Sequence, residues 1–169
     1  LSLSSLGVYG LALQISQIIP QLMIAIGAVT APKFASLSTN KENLAYTIKS
    51  VLFTSGLATV SSIALVIIGH FVFKFAGSDF DGATMPFLIL VVAMAIFFST
   101  APFRDSVIFY FSKPQFFFYM GIAHMVIILV TSIIFIPRYS IVGTSLVVLI
   151  GQIFIALSSI WYFFKLSKK

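Results

Sequence analysis

Five apolar stretches, each long enough to cross a bilayer as a helix, follow one another along this chain, and the charged residues fall almost entirely in the gaps between them. A helix needs about 20 apolar residues to cross roughly 30 Å of hydrocarbon. The stretches lie near 8–31, 48–73, 83–111, 115–136 and 140–164. Only helices and closed barrels satisfy their backbone polar groups in lipid, and runs this long without two-residue alternation exclude the barrel. A chain that is 60% hydrophobic and 8% charged is also too apolar for a water-exposed surface of ordinary make-up. The expected fold class is an all-α membrane protein with five transmembrane helices.

Basic residues set the expected orientation. Counting gaps alternately, one side of the membrane receives Lys33, Lys41, Lys49, Lys113, Lys165, Lys168 and Lys169, and the other only Lys74 and Arg138. Lysine and arginine accumulate on the cytoplasmic side, so the chain is expected to start outside and end inside. The net charge of +6 is then a set of topology anchors beside anionic membrane lipids, not a nucleic-acid signal. Tyr46, Tyr110, Tyr119, Trp161 and Tyr162 mark the inner boundary, and Tyr9 and Tyr139 the outer, as an interfacial aromatic belt does.

Leu1 is preceded by no initiator Met, basic n-region or cleavage pattern, yet the first span must start outside. The expectation is a missing N-terminal half of the same protein. With no cysteine, disulfides and thiolate metal sites are excluded. The gaps are short, and the longest, around 34–47, has no room for a soluble domain, so the activity is expected within the membrane. Thr39 with Glu42, Ser78 with Asp81, and Ser112 with Gln115 have capping-box spacing before the second, third and fourth spans. Pro20 and Pro102 lie inside the first and third spans, where each removes a backbone donor and predicts a kink.

Polar residues inside the spans carry the functional information. Gln14, Gln17 and Gln21 share one face of the first helix, and Gln152 and Ser159 are seven residues apart on the fifth. Such faces either bond neighbouring helices or line a cavity that accepts sugar hydroxyls. Arg104 and Asp105 sit about two turns inside the cytoplasmic end of the third span, where a charge needs a partner or water. One reading has Arg104 snorkelling to the interface while Asp105 pairs elsewhere or marks an early helix end. The other has Arg104 facing a cavity and attracting a substrate phosphate through its planar fork. Adjacent helical positions point about 100° apart, so the two are not expected to face one narrow lumen. His124, with Thr131 on its face, is either an interhelical hydrogen-bond partner or a proton site. His70 reads as interfacial, and Lys74, Asp79 and Asp81 as a solvated outer rim.

Several segments carry a resemblance: Leu6-Gly7-Val8-Tyr9, Pro32 closing the first span, Phe75-Ala76-Gly77-Ser78-Asp79-Phe80, and above all Ile136-Pro137-Arg138-Tyr139-Ser140-Ile141-Val142-Gly143. Together they resemble the C-terminal half of polysaccharide-biosynthesis flippases, Wzx-like members of the multidrug/oligosaccharidyl-lipid/polysaccharide exporter superfamily. The resemblance runs along essentially the whole chain. It departs from the family pattern at Ser140, where glycine is common, and at Thr144-Ser145, where small alanines are typical. It implies two six-helix lobes around a central cavity, with this chain supplying most of the second. Such proteins flip undecaprenyl-pyrophosphate-linked oligosaccharides by alternating access. Arg104 would then attract the pyrophosphate, Gln14, Gln17, Gln21 and Gln152 would accommodate sugar, and Asp105 and His124 are the sites open to ion or proton coupling. No cofactor, metal or nucleic acid is implied.

Other classes make distinguishable demands. A cation-coupled multidrug antiporter of the same superfamily wants an unpaired acid in the lobe interior, for which Asp105 is the only choice. A membrane enzyme needs a constellation of acids, bases or nucleophiles, which four acidic residues and two separated histidines do not make. The third class is a non-transporting scaffold or assembly partner, against which the polar faces argue.

Overall fold

The computed structural model describes residues 3–168, with their side chains except those of residues 3–5, 76, 78, 79 and 81. Lys169 and the side chains of Ser78, Asp79 and Asp81, and with them the second capping box and the acidic part of the outer rim, lie outside the described residues. Every described element is helical: α1 (Leu3–Ser16), α2 (Ile18–Ala35), α3 (Asn40–Ala76), a 3-10 turn (Ser78–Ala83), α4 (Thr84–Ser99), α5 (Ala101–Asp105), a π-helical turn (Ser106–Tyr110) and α6 (Gln115–Ser167).

The first span is α1 and α2 joined at Gln17. Proline at position 20 cannot donate to the carbonyl of Ser16, and the helix is interrupted just before it. The buried Ser16 hydroxyl turns to the Leu13 carbonyl at 2.8 Å. Pro32 does not close this span, because α2 runs one more turn to Ala35, where Ser36 N–H caps the carbonyls of Pro32 and Lys33. A proline this close to a helix end forfeits one bond without stopping the turn that follows.

Residue 39 launches the second span earlier than its hydropathy suggests. Thr39 is extended (φ −127°, ψ 150°) and its Oγ1 accepts from Glu42 N–H at 3.2 Å. The Glu42 carboxylate accepts from Ser38 N–H at 3.1 Å, one residue before the partner a strict capping box uses. So α3 begins at Asn40 rather than near 48, and its 37 residues extend about 55 Å, overrunning the hydrocarbon. It stops at Gly77, whose φ of 97° suits glycine alone.

The third span is broken as Pro102 predicts, with the interruption at Thr100 (φ −93°, ψ 0°). The expected Ser112–Gln115 cap does not form. Ser112 takes a left-handed φ of 52° to reverse the chain, which is not the extended conformation that capping requires, and α6 starts after Pro114 without a side-chain cap.

Straight, the 53 residues of α6 would extend roughly 80 Å, more than twice the hydrocarbon thickness. Ser140, at φ 53° and ψ −126°, folds it instead into two arms, 115–139 and 141–167. The arms run antiparallel: Phe116 stacks on Tyr162 with ring centroids 3.9 Å apart, Gly151 lies against His124, and Gly143 lies against the Phe135 carbonyl. Small residues at these crossings let backbones approach where lipid offers no hydrophobic drive. Five spans result, and the residues 137–139 expected as a gap are helical.

Buried on most sides, α4 is the centre of the bundle and touches α1, α2, α3 and α6. Phe87 nests against Gly69 and meets Phe73 edge-on at 5.2 Å, while Leu90, Val91, Met94 and Phe98 continue the core. Outward, Ile24, Val29, Leu52, Phe53, Val60 and Ile133 are all more than half exposed, a surface suited to lipid and not to water. Tyr110 donates to Asn40 Oδ1 at 2.9 Å, Phe34 meets Tyr46 at 4.9 Å and Phe111 meets Phe163 at 6.2 Å. These contacts put the segments carrying Lys33, Lys41, Lys49, Lys113 and Lys165 at one end of the bundle. The chain is a multi-pass membrane protein with a lysine-rich end and a lysine-poor one.

Candidate functional site

Arg104 does not snorkel. Its side chain runs back along its own helix, away from the lysine-rich end, and is only 9% exposed. Nη2 donates to the Phe97 carbonyl at 2.8 Å and to Met23 Sδ at 3.3 Å; Nη1 donates to Thr100 Oγ1 at 3.2 Å. The guanidinium also lies 4.1 Å over the Phe97 ring. Helical side chains lean toward the N-terminus, which permits this course. The break at Thr100 supplies the reason for it: α4 ends there, and the carbonyls of its last turn need donors. Thr100 Oγ1 donates to the Ile96 carbonyl at 2.9 Å, so threonine and arginine together cap the broken end, where a cation also suits the helix dipole.

Asp105 takes a different partner. Its Oδ2 accepts from Thr30 Oγ1 at 3.3 Å. Met23 and Thr30 are seven residues apart on α2, two turns along one face. Adjacent residues expected to diverge therefore grip the same helix at two depths, because the arginine reaches back while the aspartate stays level. The broken first and third spans are joined through this pair.

A third polar element runs along α3. Asn43, Thr47, Ser50 and Thr54 repeat at four, three and four residues along α3, and all are buried. That spacing marks one helix face, and it was legible. The charges at Lys41 and Glu42 mask it, because they give 34–47 the look of a gap. Ser106, in the π-helical turn, donates to Asn43 Oδ1 at 2.8 Å, and Thr54 donates to the Ser99 carbonyl at 3.3 Å beside the break. Asn43 Nδ2 and Thr47 Oγ1 are buried with no partner among the described residues. Unpaired buried polar atoms and a π-turn commonly accompany functional sites.

Alongside this face lies a cavity of about 600 Å³ between α2 and α3, walled by Ala25, Ile26, Val29 and Phe53 and carrying Thr30, Tyr46, Lys49, Ser50 and Thr54. Thr30 thus contributes both to the cavity wall and to the bond with Asp105.

The other sequence-derived residues lie elsewhere. Gln14, Gln17 and Gln21 are exposed and do not line this cavity. They point out of the bundle formed by this chain, so any partner they have lies beyond it. Gln152 is half-buried, and its Oε1 and the Nε2 of His124, which lies beside Gly151, have no partner among the described residues. These two belong to the hairpin of α6, away from Arg104. Thr131 and Ser159 bond the carbonyls of Ile127 and Ile155 in their own arms. His70 and Lys74 are exposed at the lysine-poor end.

Compared with protein-family models, with curated proteins and with solved structures, the chain matches none.

Proposed function

We propose that this chain is the second lobe of a flippase that moves undecaprenyl-pyrophosphate-linked oligosaccharides across a bacterial or archaeal cytoplasmic membrane by alternating access. One observation carries the reading: a buried guanidinium where two interrupted spans meet. Interrupted spans around an intramembrane charge are how transporters build sites at depth. The resemblance around Ile136–Gly143 supplies the substrate class. The lysine-rich end is cytoplasmic by the distribution of basic residues. Arg104 exchanges its weak Met23 contact for a phosphate oxygen when α2 moves away from α5. Gln14, Gln17 and Gln21 meet the sugar across a cavity whose other wall is the first lobe, and Gln152 extends the polar surface.

The test is glycan export in a flippase-deficient strain, normalised to inserted protein. Arg104→Ala is expected to abolish export and Arg104→Lys to retain part of it, since lysine keeps the charge without the fork. Normal activity per molecule in the alanine variant would overturn the assignment. Residues 1–169 alone are expected not to complement, because the glutamine face lacks its opposite wall.

The Asp105–Thr30 bond favours a second reading, a cation-coupled multidrug antiporter, because the carboxylate is tied to a hydroxyl and left without Arg104 as its hydrogen-bonded partner. In that case Asp105→Asn stops cation-driven drug efflux. In the flippase it leaves glycan export largely intact.

A further inference from the structure

We infer that the groove between α2 and α3 is a binding site for an anionic glycerophospholipid of the surrounding bilayer. Its volume, about 600 Å³, falls within the roughly 300–1,000 Å³ of ordinary ligand sites. Toward the lysine-rich end it shares Tyr46 and Lys49 with an adjoining hollow of about 430 Å³ that adds Lys33 and Ser36. The combined groove is therefore amphipathic along its length. Ala25, Ile26, Val29 and Phe53 wall the part inside the membrane, and two exposed ammonium groups and a serine hydroxyl stand at its mouth.

This gradient fits a single molecule with an acyl chain and a phosphate head. The apolar part favours the chain, and Lys33 and Lys49 favour a negative head at interfacial depth. One acid, Glu42, also lines the mouth, but its carboxylate is engaged by Ser38 N–H in capping α3, and the two lysines outnumber it. Tyr46 is held by its edge-on contact with Phe34, which keeps the junction between the two hollows shaped. A zwitterionic lipid places its own cation beside the lysines, so discrimination by headgroup charge follows. The site is distinct from the Arg104 contacts and does not depend on the flippase reading.

Native mass spectrometry of the detergent-solubilised protein, titrated with phosphatidylglycerol or phosphatidylcholine, tests this. Phosphatidylglycerol is expected to bind more tightly, with about 5-fold of affinity lost for each lysine removed. The variant Lys33→Gln/Lys49→Gln should bind both lipids alike, whereas Lys165→Gln/Lys168→Gln, which alters the other basic hollow beside Trp161, should behave as the parent chain. Ala25→Trp should weaken both lipids by filling the apolar wall, with helicity checked by circular dichroism. Because the lysines are exposed, their double variant keeps the test valid even where Ala25→Trp misfolds. Equal affinity of the parent chain for the two lipids, or equal loss in the two lysine pairs, overturns the site. Displacement of phosphatidylglycerol by undecaprenyl phosphate at lower concentration overturns the choice of occupant.

Discussion

Arg104 donates to the main-chain carbonyl of Phe97 at 2.8 Å while its guanidinium lies 4.1 Å over the ring of that same residue. One side chain thus both caps the helix that Pro102 breaks and covers its own charge with an aromatic face. A charge that the sequence presents as a membrane liability is built into the fold, which couples any role in transport to stability.

That coupling gives a stability expectation separate from activity. Arg104→Ala leaves the part-buried Phe97 carbonyl without its charged donor, at a cost of about 1–3 kcal/mol. Arg104→Lys should recover part of the loss but not the simultaneous bonds to Phe97, Thr100 and Met23. Thermal unfolding of the purified variants in detergent measures both. An unchanged midpoint for Arg104→Ala would show that the capping role is negligible.

Ser140 holds φ 53° and ψ −126°, a conformation that glycine enters without a Cβ penalty. Ser140→Gly is expected to stabilise the protein by about 1 kcal/mol, and Ser140→Val to destabilise it by more than that. The same thermal assay reads the difference. Equal midpoints for the glycine and valine variants would mean that the bend is not where the strain lies.

The spans were legible because lipid imposes a length and a polarity that hydropathy reads directly, and the kinks at Pro20 and Pro102 followed from a missing donor. Boundaries were less legible where a local bond outweighs hydropathy: the Thr39 cap starts α3 inside a charged segment, and Ser112 spends its conformation on a turn. At the site, the sequence exposed Arg104 and Asp105 as charges out of place. It did not disclose that both grip α2, since that depends on how far each side chain reaches and on the break that leaves Phe97 needing a donor. Asn43 and Thr47 do not stand out in the sequence, because residues near a basic gap read as solvated, although their spacing with Ser50 and Thr54 is helical.

The basic-residue imbalance predicts which end is cytoplasmic, and the chain's lack of cysteine makes labelling unambiguous. In intact cells, Lys41→Cys should be protected from a membrane-impermeant thiol reagent and Arg138→Cys should react. The opposite pattern would invert the orientation.

The antiparallel hairpin of α6 makes the sharpest structural claim, because a continuous helix of 53 residues would place its ends roughly 80 Å apart. Phe116 and Tyr162 stack at 3.9 Å in the hairpin. With no native cysteine to compete, Phe116→Cys/Tyr162→Cys should cross-link within one chain under oxidation or with a short bifunctional thiol reagent, at protein concentrations where chains do not meet. Gly151→Leu, which drives a side chain into His124, should reduce that cross-link by separating the arms, since a Cβ at 151 already comes within 2.6 Å of Nε2. Cross-linking only between chains, or not at all in the parent pair, would mean that Ser140 does not fold the helix back on itself.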